Sequence, residues 1–344
     1  MAARMKDIAQ ELGLSIVTVS KVLNKNDARI SESTRKRVLQ VARRLNYRPN
    51  LAAKSLVTGQ SKMVGLIVPE LFHGFFGAVA AGMSDSLRRH GYGLIISSSR
   101  DEQSLEQEEI TQLLARNVDA LVVASCSSNT KALKAAAQEV PLVLLDRRVG
   151  DGRSFWMVGA DDVKAGELAT EHLLGLGRRR IVFLGAADFS PTAGRREGYL
   201  KAMRAAGIDP PAEWLHRLSQ SEESNPAQGA KTMRQLLQSK ARPDAVFCYN
   251  DPTAWGVTVA ILEAGMRVPE DIAVVGGGNN PHDDLLRVPL TSVSLDAGGM
   301  GEEAANLAVR LVQERLNDVV SKPRAVLLNP ELVIRRSTVA SQAC

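Results

Sequence analysis

The sequence predicts two architectures on one chain: a small all-α head, and behind it an α/β core of two doubly wound parallel-sheet lobes. Three observations predict this. Residues 1–60 hold twelve Lys and Arg against four acids, a charge of +8, while the whole chain carries only +5, so the remaining 284 residues carry −3. Three short helical patterns are crowded into residues 5–46. From Lys62 onward, short apolar runs alternate with amphipathic stretches, and the alternation runs through two sets. At 344 residues the chain is too long for one ordinary core.

In the head, Ile8, Ala9 and Leu12 fall on one face of a helix over Met5–Leu12, and Gly13 follows as a natural stop. Ser15 is placed to cap a second helix, Ile16–Leu23, with Val19, Val22 and Leu23 inward. Ser31 is placed to cap a third, Glu32–Leu45, whose inner stripe is Val38, Val41/Ala42 and Leu45. Gly13–Leu14–Ser15 is the tight connection of a helix-turn-helix. That leaves Ile16, Val17, Thr18, Ser20 and Lys21 outward on the second helix, with Asn24 at its end. An exposed Ile-Val pair is odd against water. In a DNA major groove it fits, because apolar groups meet thymine methyls while Ser20 and Lys21 offer hydrogen bonds to base edges. Core of the small bundle is the competing reading for either apolar residue. Arg29, Ser31, Thr34 and Arg35 stand around the start of the third helix, where amides and cations hold phosphate.

After the head, Tyr47–Arg48–Pro49 reads as an extended elbow. Asn50–Leu56 then reads as two helical turns, with Asn50 as N-cap. Such a piece is far below the roughly 12–15 residues that hold a helix alone in water.

The core begins with strands at 63–69 and 92–99 flanking a helix near Phe76–His90. A helix near Leu105–Asn117 precedes a strand at 119–125, and one near Thr130–Gln138 precedes a strand at 141–146. A second set starts near 161: helix Asp162–Leu176, strand 178–185, helices Thr192–Ala206 and Pro226–Ser239, strand 244–250, helix Pro252–Ala264 and strand 271–277. The chain closes with a strand at 291–296, a helix over Ala297–Asn317 and an apolar run at 325–337. Strand-helix alternation of this kind implies parallel sheets with crossovers on both faces, and a cleft where the strand ends of two lobes meet.

Composition narrows the class. Apolar content of 44% and charged content of 24% are those of a soluble globular protein, and no apolar run reaches a membrane span. The first residues have no apolar segment of a secretory signal. Cys126, Cys248 and Cys344 lie far apart, which points to reduced thiols in a cytoplasmic protein and away from zinc. Nucleotide-binding and hydrolase signatures are absent: Gly276–Gly277–Gly278 lacks the G-x-G-x-x-G spacing, and no G-x-x-x-x-G-K-[ST], H-E-x-x-H or G-x-S-x-G occurs. The five histidines are scattered. Neither catalytic residues, a metal nor a cofactor is expected. A binding protein without DNA activity leaves the +8 head unexplained.

"MKDIAQELGLSIVTVSKVLN", "ISESTRKRVLQVARRLNYRPN" and "LAAKSL" follow one another in a pattern that resembles the lac and purine repressor family of bacterial transcription regulators. The resemblance implies a helix-turn-helix domain at 1–48, a hinge at 49–61 and an effector-binding, dimerising core at 62–340. It implies Ile16, Val17, Thr18, Ser20 and Lys21 as base readers and Asn24, Arg29, Ser31 and Thr34 as backbone contacts. Asn50, Ala53 and Leu56 become hinge contacts to DNA, with Leu56 the wedge in the minor groove. The hinge segment is then disordered alone and folds on operator DNA, which fits an ordering cost of roughly 1–2 kcal/mol per residue.

The core resembles, more loosely, a periplasmic sugar-binding protein in which the chain crosses between lobes three times. Crossings near 160, 290 and 320 suit it, giving one lobe of about 62–160 plus 291–320 and another of about 161–290 plus 321–340. Family motifs point to Asp146, Arg147, Arg195 and Asn250 as effector contacts at strand ends, and to Phe75 and Phe76 as stacking rings. The sequence also departs from the family. Gly277 and Gly278 replace a usual aromatic and Asp, with Asn279 as the candidate substitute. His73–Gly74 replaces Asn-Pro, and Ser224 stands near a usual aromatic. The expected function is a dimeric repressor on a pseudo-palindromic operator, governed by a sugar or sugar acid in the cleft, with no membrane association. An activator, a purine-responsive regulator and a plain ligand-binding protein are the alternatives.

Overall fold

The computed structural model describes residues 3–23, 30–48, 55, 58–72, 74–126, 130–186, 189–218, 225–239 and 242–339. They form two compact units, Met1–Ser61 and Lys62–Cys344.

The first unit is a three-helix bundle: α1 (Met5–Leu12), α2 (Ile16–Leu23) and α3 (Glu32–Arg44). Gly13 ends α1 in the left-handed region, φ 65°, a backbone state that costs glycine little, and its N–H reaches back to the Ala9 and Gln10 carbonyls. Ser15 caps α2 by accepting the Thr18 N–H at 3.0 Å. Ser31 caps α3 by accepting the Thr34 N–H at 3.2 Å. Ile8, Ala9, Val19, Val22, Val38, Val41 and Ala42 make the core, and a Glu11–Arg44 ion pair ties α1 to α3. Among the described residues this core has seven buried side chains, two of them alanine, so every cap contributes a visible share of its stability.

In the second unit the first lobe contains β1 (Met63–Val68), α4 (Gly74–Arg89), β2 (Gly93–Ser98), α5 (Gln103–Ala115), β3 (Ala120–Val123), α6 (Lys131–Glu139), β4 (Leu142–Leu145) and β5 (Trp156–Ala160). The second lobe contains α7 (Asp162–Gly175), β6 (Ile181–Gly185), α8 (Ser190–Ala205), β7 (Leu215–Arg217), α9 (Asn225–Gln238), β8 (Ala245–Cys248), α10 (Asp251–Glu263), β9 (Ala273–Gly277) and β10 (Thr291–Ser294). Last come α11 (Ala297–Leu316), β11 (Ala325–Leu328) and β12 (Glu331–Val333). The two sheets run β11-β5-β4-β3-β1-β2 and β12-β10-β9-β8-β6-β7. All pairs are parallel except β10–β12. The inner strands β3, β4 and β8 are buried at every position and β1 at all but its first, as sheets covered on both faces must be.

Two expectations need correction. The strand at 291–294 pairs with β9 and belongs to the second lobe, and only the helix after it returns to the first, packing on α4. The apolar run at 325–337 is two strands in different sheets: β11 lies beside β5 and β12 beside β10, with Asn329–Pro330 between them. The crossings therefore fall after β5, near Leu295 and near Asn329, not near 290 and 320. Short apolar strands look alike along the chain, and which sheet each joins is a long-range pairing decision. β5 and β7 were not foreseen: β5 mixes Trp, Met, Val, Gly and Ala, and β7 spans three residues.

Helices α7 and α8 cross at backbone contact. A Cβ on Gly166 would stand 2.1 Å from the Arg195 carbonyl oxygen, and one on Gly198 would stand 2.0 Å from that of Val163. Gly166→Ala is therefore expected to force the helices apart and lower the unfolding free energy by about 1–3 kcal/mol. Urea denaturation measures it; an unchanged midpoint would mean the two helices part without cost.

Candidate functional site

Two groups of residues qualify, one on the head and one between the lobes. On α2, Val19 and Val22 turn inward, which leaves Ile16 and Val17 at 52% and 64% exposure. Core burial is thereby ruled out for both. The Thr18 hydroxyl meets the Ser15 hydroxyl at 2.8 Å, Ser20 is half-buried and Lys21 is exposed on the same helix. The Ser31 hydroxyl also donates to Thr34 Oγ1 at 2.9 Å, so these two residues form the capped entry of α3. Asn24, Arg29, Asn50, Ala53 and Leu56 lie outside the described residues, as does the hinge helix expected at 50–56 apart from Ser55.

Between the lobes, the carboxyl ends of β2, β4, β6, β8 and β9 converge. Asp146 follows β4 with φ 60°, its N–H bonded to the Val158 carbonyl at 2.8 Å. Its carboxylate is buried, and Oδ1 has no hydrogen-bond partner. Burial pushes its pKa up, against the opposing pull of Arg195 and Arg147. Arg147 donates to Asp101 at 2.5 Å and lies 3.8 Å above the Phe189 ring, a cation–π contact from the first lobe to the second. Next to it, the Arg148 N–H donates to Ser190 Oγ at 2.7 Å, a second cross-lobe bond.

Arg195, on α8, is 6% exposed. Its Nε donates to Asp162 Oδ1 at 3.0 Å, and its Nη1 to the Tyr249 carbonyl at 2.5 Å. Asp162 sits at the first position of α7, so the glycine contact between α7 and α8 sets the distance between this acid and its arginine. Burial pushes Asp162 up to about 6; Arg195 restrains the rise and the nearby Asp146 adds to it. Burial likewise pushes the Tyr249 phenol up to about 12, and its hydroxyl donates to Asn225 Oδ1 at 3.2 Å.

Other expected residues are placed differently. Asn250 is buried and its side-chain oxygen caps α10, accepting the Thr253 N–H at 3.0 Å. Asn279 has φ 52°, accepts from Arg335 at 2.9 Å through Oδ1, and donates its N–H to Ser292. Phe75 and Phe76 are 7% and 6% exposed and meet edge to face at 5.2 Å in the first lobe's core. Both rings lie in the first turn of α4, which begins at Gly74, and are as buried as Asp146 and Arg195. Phe189 and Tyr249 are the rings that stand among the cleft's charged residues. Asp101, Asp162, Phe189, Ser190 and Tyr249 were not anticipated, although Asp101 follows a strand end and Asp162 opens a helix, the two signals that found Asp146 and Asn250.

Residues 4–50 match bacterial regulatory proteins of the lacI family, and residues 170–338 match a periplasmic binding protein-like domain. Among curated relatives, the HTH-type transcriptional repressor PurR of Mannheimia succiniciproducens is 31% identical over 339 residues, covering 97% of this chain and 98% of that protein. The chain belongs to the lacI family. It is a DNA-binding transcriptional repressor of that family, whose relatives are repressors and not enzymes. A solved lac repressor dimer, bound to operator and the anti-inducer ONPF, superposes on this family member with a TM-score of 0.85 at 26% identity, covering 99% of this chain and 100% of that one. A CelR–cellobiose complex follows at 0.71 and 26%, covering 97% and 99%. No helix among the described residues is long and apolar enough to cross a membrane.

The electrostatics of the cleft are testable without any effector. Arg195→Gln removes the charge that holds Asp162 down, so Asp162 should titrate above about 6 in the variant. Because its folded value already exceeds the unfolded one, the penalty for ionising Asp162 grows as pH rises from about 4 towards 6, and levels off above. Carboxyl carbon NMR reads both values; an unmoved or lowered pKa would contradict the assignment.

Proposed function

We propose that this repressor binds a pseudo-palindromic operator as a homodimer and is controlled by a neutral polyhydroxylated effector, a sugar, held in the interlobe cleft. The observation that carries the effector reading is Asp146, a buried carboxylate between the lobes with an oxygen that no donor reaches. A ligand hydroxyl would satisfy it. Arg147 and Arg195 already have Asp101 and Asp162 as partners. The unmet need in the cleft is therefore a donor, which favours a neutral sugar over a sugar acid, whose carboxylate would lie against Asp146. Phe189 and Tyr249 supply ring faces, while Asn250 and Asn279 shape the wall from the second lobe. The cellobiose held by CelR is consistent with such a ligand.

On DNA, α2 enters the major groove with Ile16 and Val17 against thymine methyls and Thr18, Ser20 and Lys21 at base edges, while Ser31 and Thr34 approach the phosphates. Asn24 and Arg29 extend the backbone contacts. Asn50, Ala53 and Leu56 form a hinge helix that pairs with its dimer mate in the central minor groove, with Leu56 as wedge. Effector occupancy changes the angle between lobes and so the ability of two hinges to pair. A coupling of about 1–3 kcal/mol changes operator affinity roughly 5–150-fold. The lac repressor dimer on its operator supports this arrangement. A chain that serves DNA in this way works in the cytoplasm.

Thermal-shift screening of sugars, sugar acids and purines against the purified chain is expected to return a neutral sugar that raises the melting temperature. Arg195→Ala should abolish that shift and leave operator affinity intact; a preserved shift would move the effector elsewhere. Leu56→Ala should weaken specific operator binding far more than nonspecific binding, read by competition against random duplex, and equal losses would remove the wedge.

A further inference from the structure

In the second lobe, beside the Asp146–Arg195 cluster, two carboxyls are buried together. Asp251, the first residue of α10, is 1% exposed; Asp283, in the short turn Asp283–Leu285, is fully buried. Their partners are neutral. Asp251 accepts the Ser292 hydroxyl at 2.5 Å and the Asn280 N–H at 2.9 Å. Asp283 accepts the Trp255 indole N–H at 2.8 Å through Oδ1, while its Oδ2 is buried with no donor. Asn280 joins the two acids: its N–H donates to Asp251, and its carbonyl accepts the Asp283 N–H at 2.9 Å. Two ionised carboxylates cannot share such a place, whereas one proton held between them satisfies both.

The charged groups around the pair do not remove that constraint. Arg335, whose charge reaches Asp283, is bound to Asp284, and Arg195, whose charge reaches Asp251, is bound to Asp162. His282, beside Asp283 in the same loop, holds its ring against Asn280 Oδ1 at 2.9 Å.

The loop from 278 to 286 is anchored on α10 by this pair, through the Asn280 N–H on Asp251 and through Trp255 on Asp283. It also reaches the other lobe. The Asn280 side chain packs on Gly74 at the start of α4, so closely that a Cβ there would stand 2.2 Å from the Asn280 amide nitrogen.

We propose that the Asp251–Asp283 pair is a proton-binding site that docks the 278–286 loop on α10 and, through Asn280 on Gly74, couples proton uptake to contact between the lobes. This stands apart from the effector reading and needs no effector to test. Burial, with the charge of Asp251, pushes Asp283 up to about 8 in the docked loop. In a released, hydrated loop the carboxyl returns to about 4. Docking is then strongest at low pH, weakens about tenfold for each pH unit up to about 8, and levels off above, where both states are ionised.

Amide hydrogen exchange on the full chain at pH 6, 7 and 8, corrected for the intrinsic pH dependence of exchange, tests it. Protection of amides 279–286 should fall about tenfold per unit in the wild type and stay level in Asp283→Asn, which carries its donor permanently. Parallel slopes in the two proteins overturn the proposal. Should the variant fail to fold, the wild type decides alone: a level profile overturns it, and so does an infrared spectrum that loses no buried protonated-carboxyl band between pH 7 and 9.

Discussion

A cation buried to the extent of Arg195 must be fully partnered, because leaving a guanidinium in a low-dielectric interior without acceptors costs several kcal/mol. Its partners come from two places: Asp162 in the first turn of α7, and the Tyr249 carbonyl just after β8. That requirement fixes how close α7 and α8 approach, which is why glycines stand where they cross. It also places a positive charge near Asp146, which keeps a buried carboxylate tolerable on the first lobe. The cleft is thus a set of mutually compensating buried charges. Asp101–Arg147 on one side and Asp162–Arg195 on the other leave Asp146 as the acceptor still unfilled.

Rigidity in the cleft and economy in the head serve one purpose. Among its described residues the head has seven core side chains, and Gly13, Ser15 and Ser31 shape its turns and caps. It exposes Ile16 and Val17, apolar groups that a self-sufficient domain would bury. Directional contacts between the lobes include Arg147 on Phe189, Arg148 on Ser190 and Gly74 against Asn280. Contacts of this kind break and reform as units, which suits a sensor whose two states differ by a few kcal/mol. The Asp251–Asp283 pair adds a proton to the list of agents able to shift that balance.

Where the chemistry is local, the sequence sufficed. Three helices with their caps, the basic head, the apolar strands and the strand-end acids could all be read from periodicity, from Ser and Gly at turn positions and from charge spacing. Asp146 and Arg195 were singled out by motifs of the resembling family, and both are buried at the cleft. Asn250 was found too, although its oxygen serves the helix it begins. What stayed hidden was long-range. The assignment of 291–294 and 325–337 to sheets depends on pairing between strands with the same apolar text. Phe189 meets Arg147 only because the lobes meet, and Asp283 gives no sign in its local sequence that it will be buried beside Asp251. The chain's own order decides which residues form helices and strands and which carry charge, since those follow from neighbours a few positions away. Tertiary structure alone decides which charges are buried together, because a carboxylate's partner, its dielectric surroundings and its proton are set by groups dozens of residues distant.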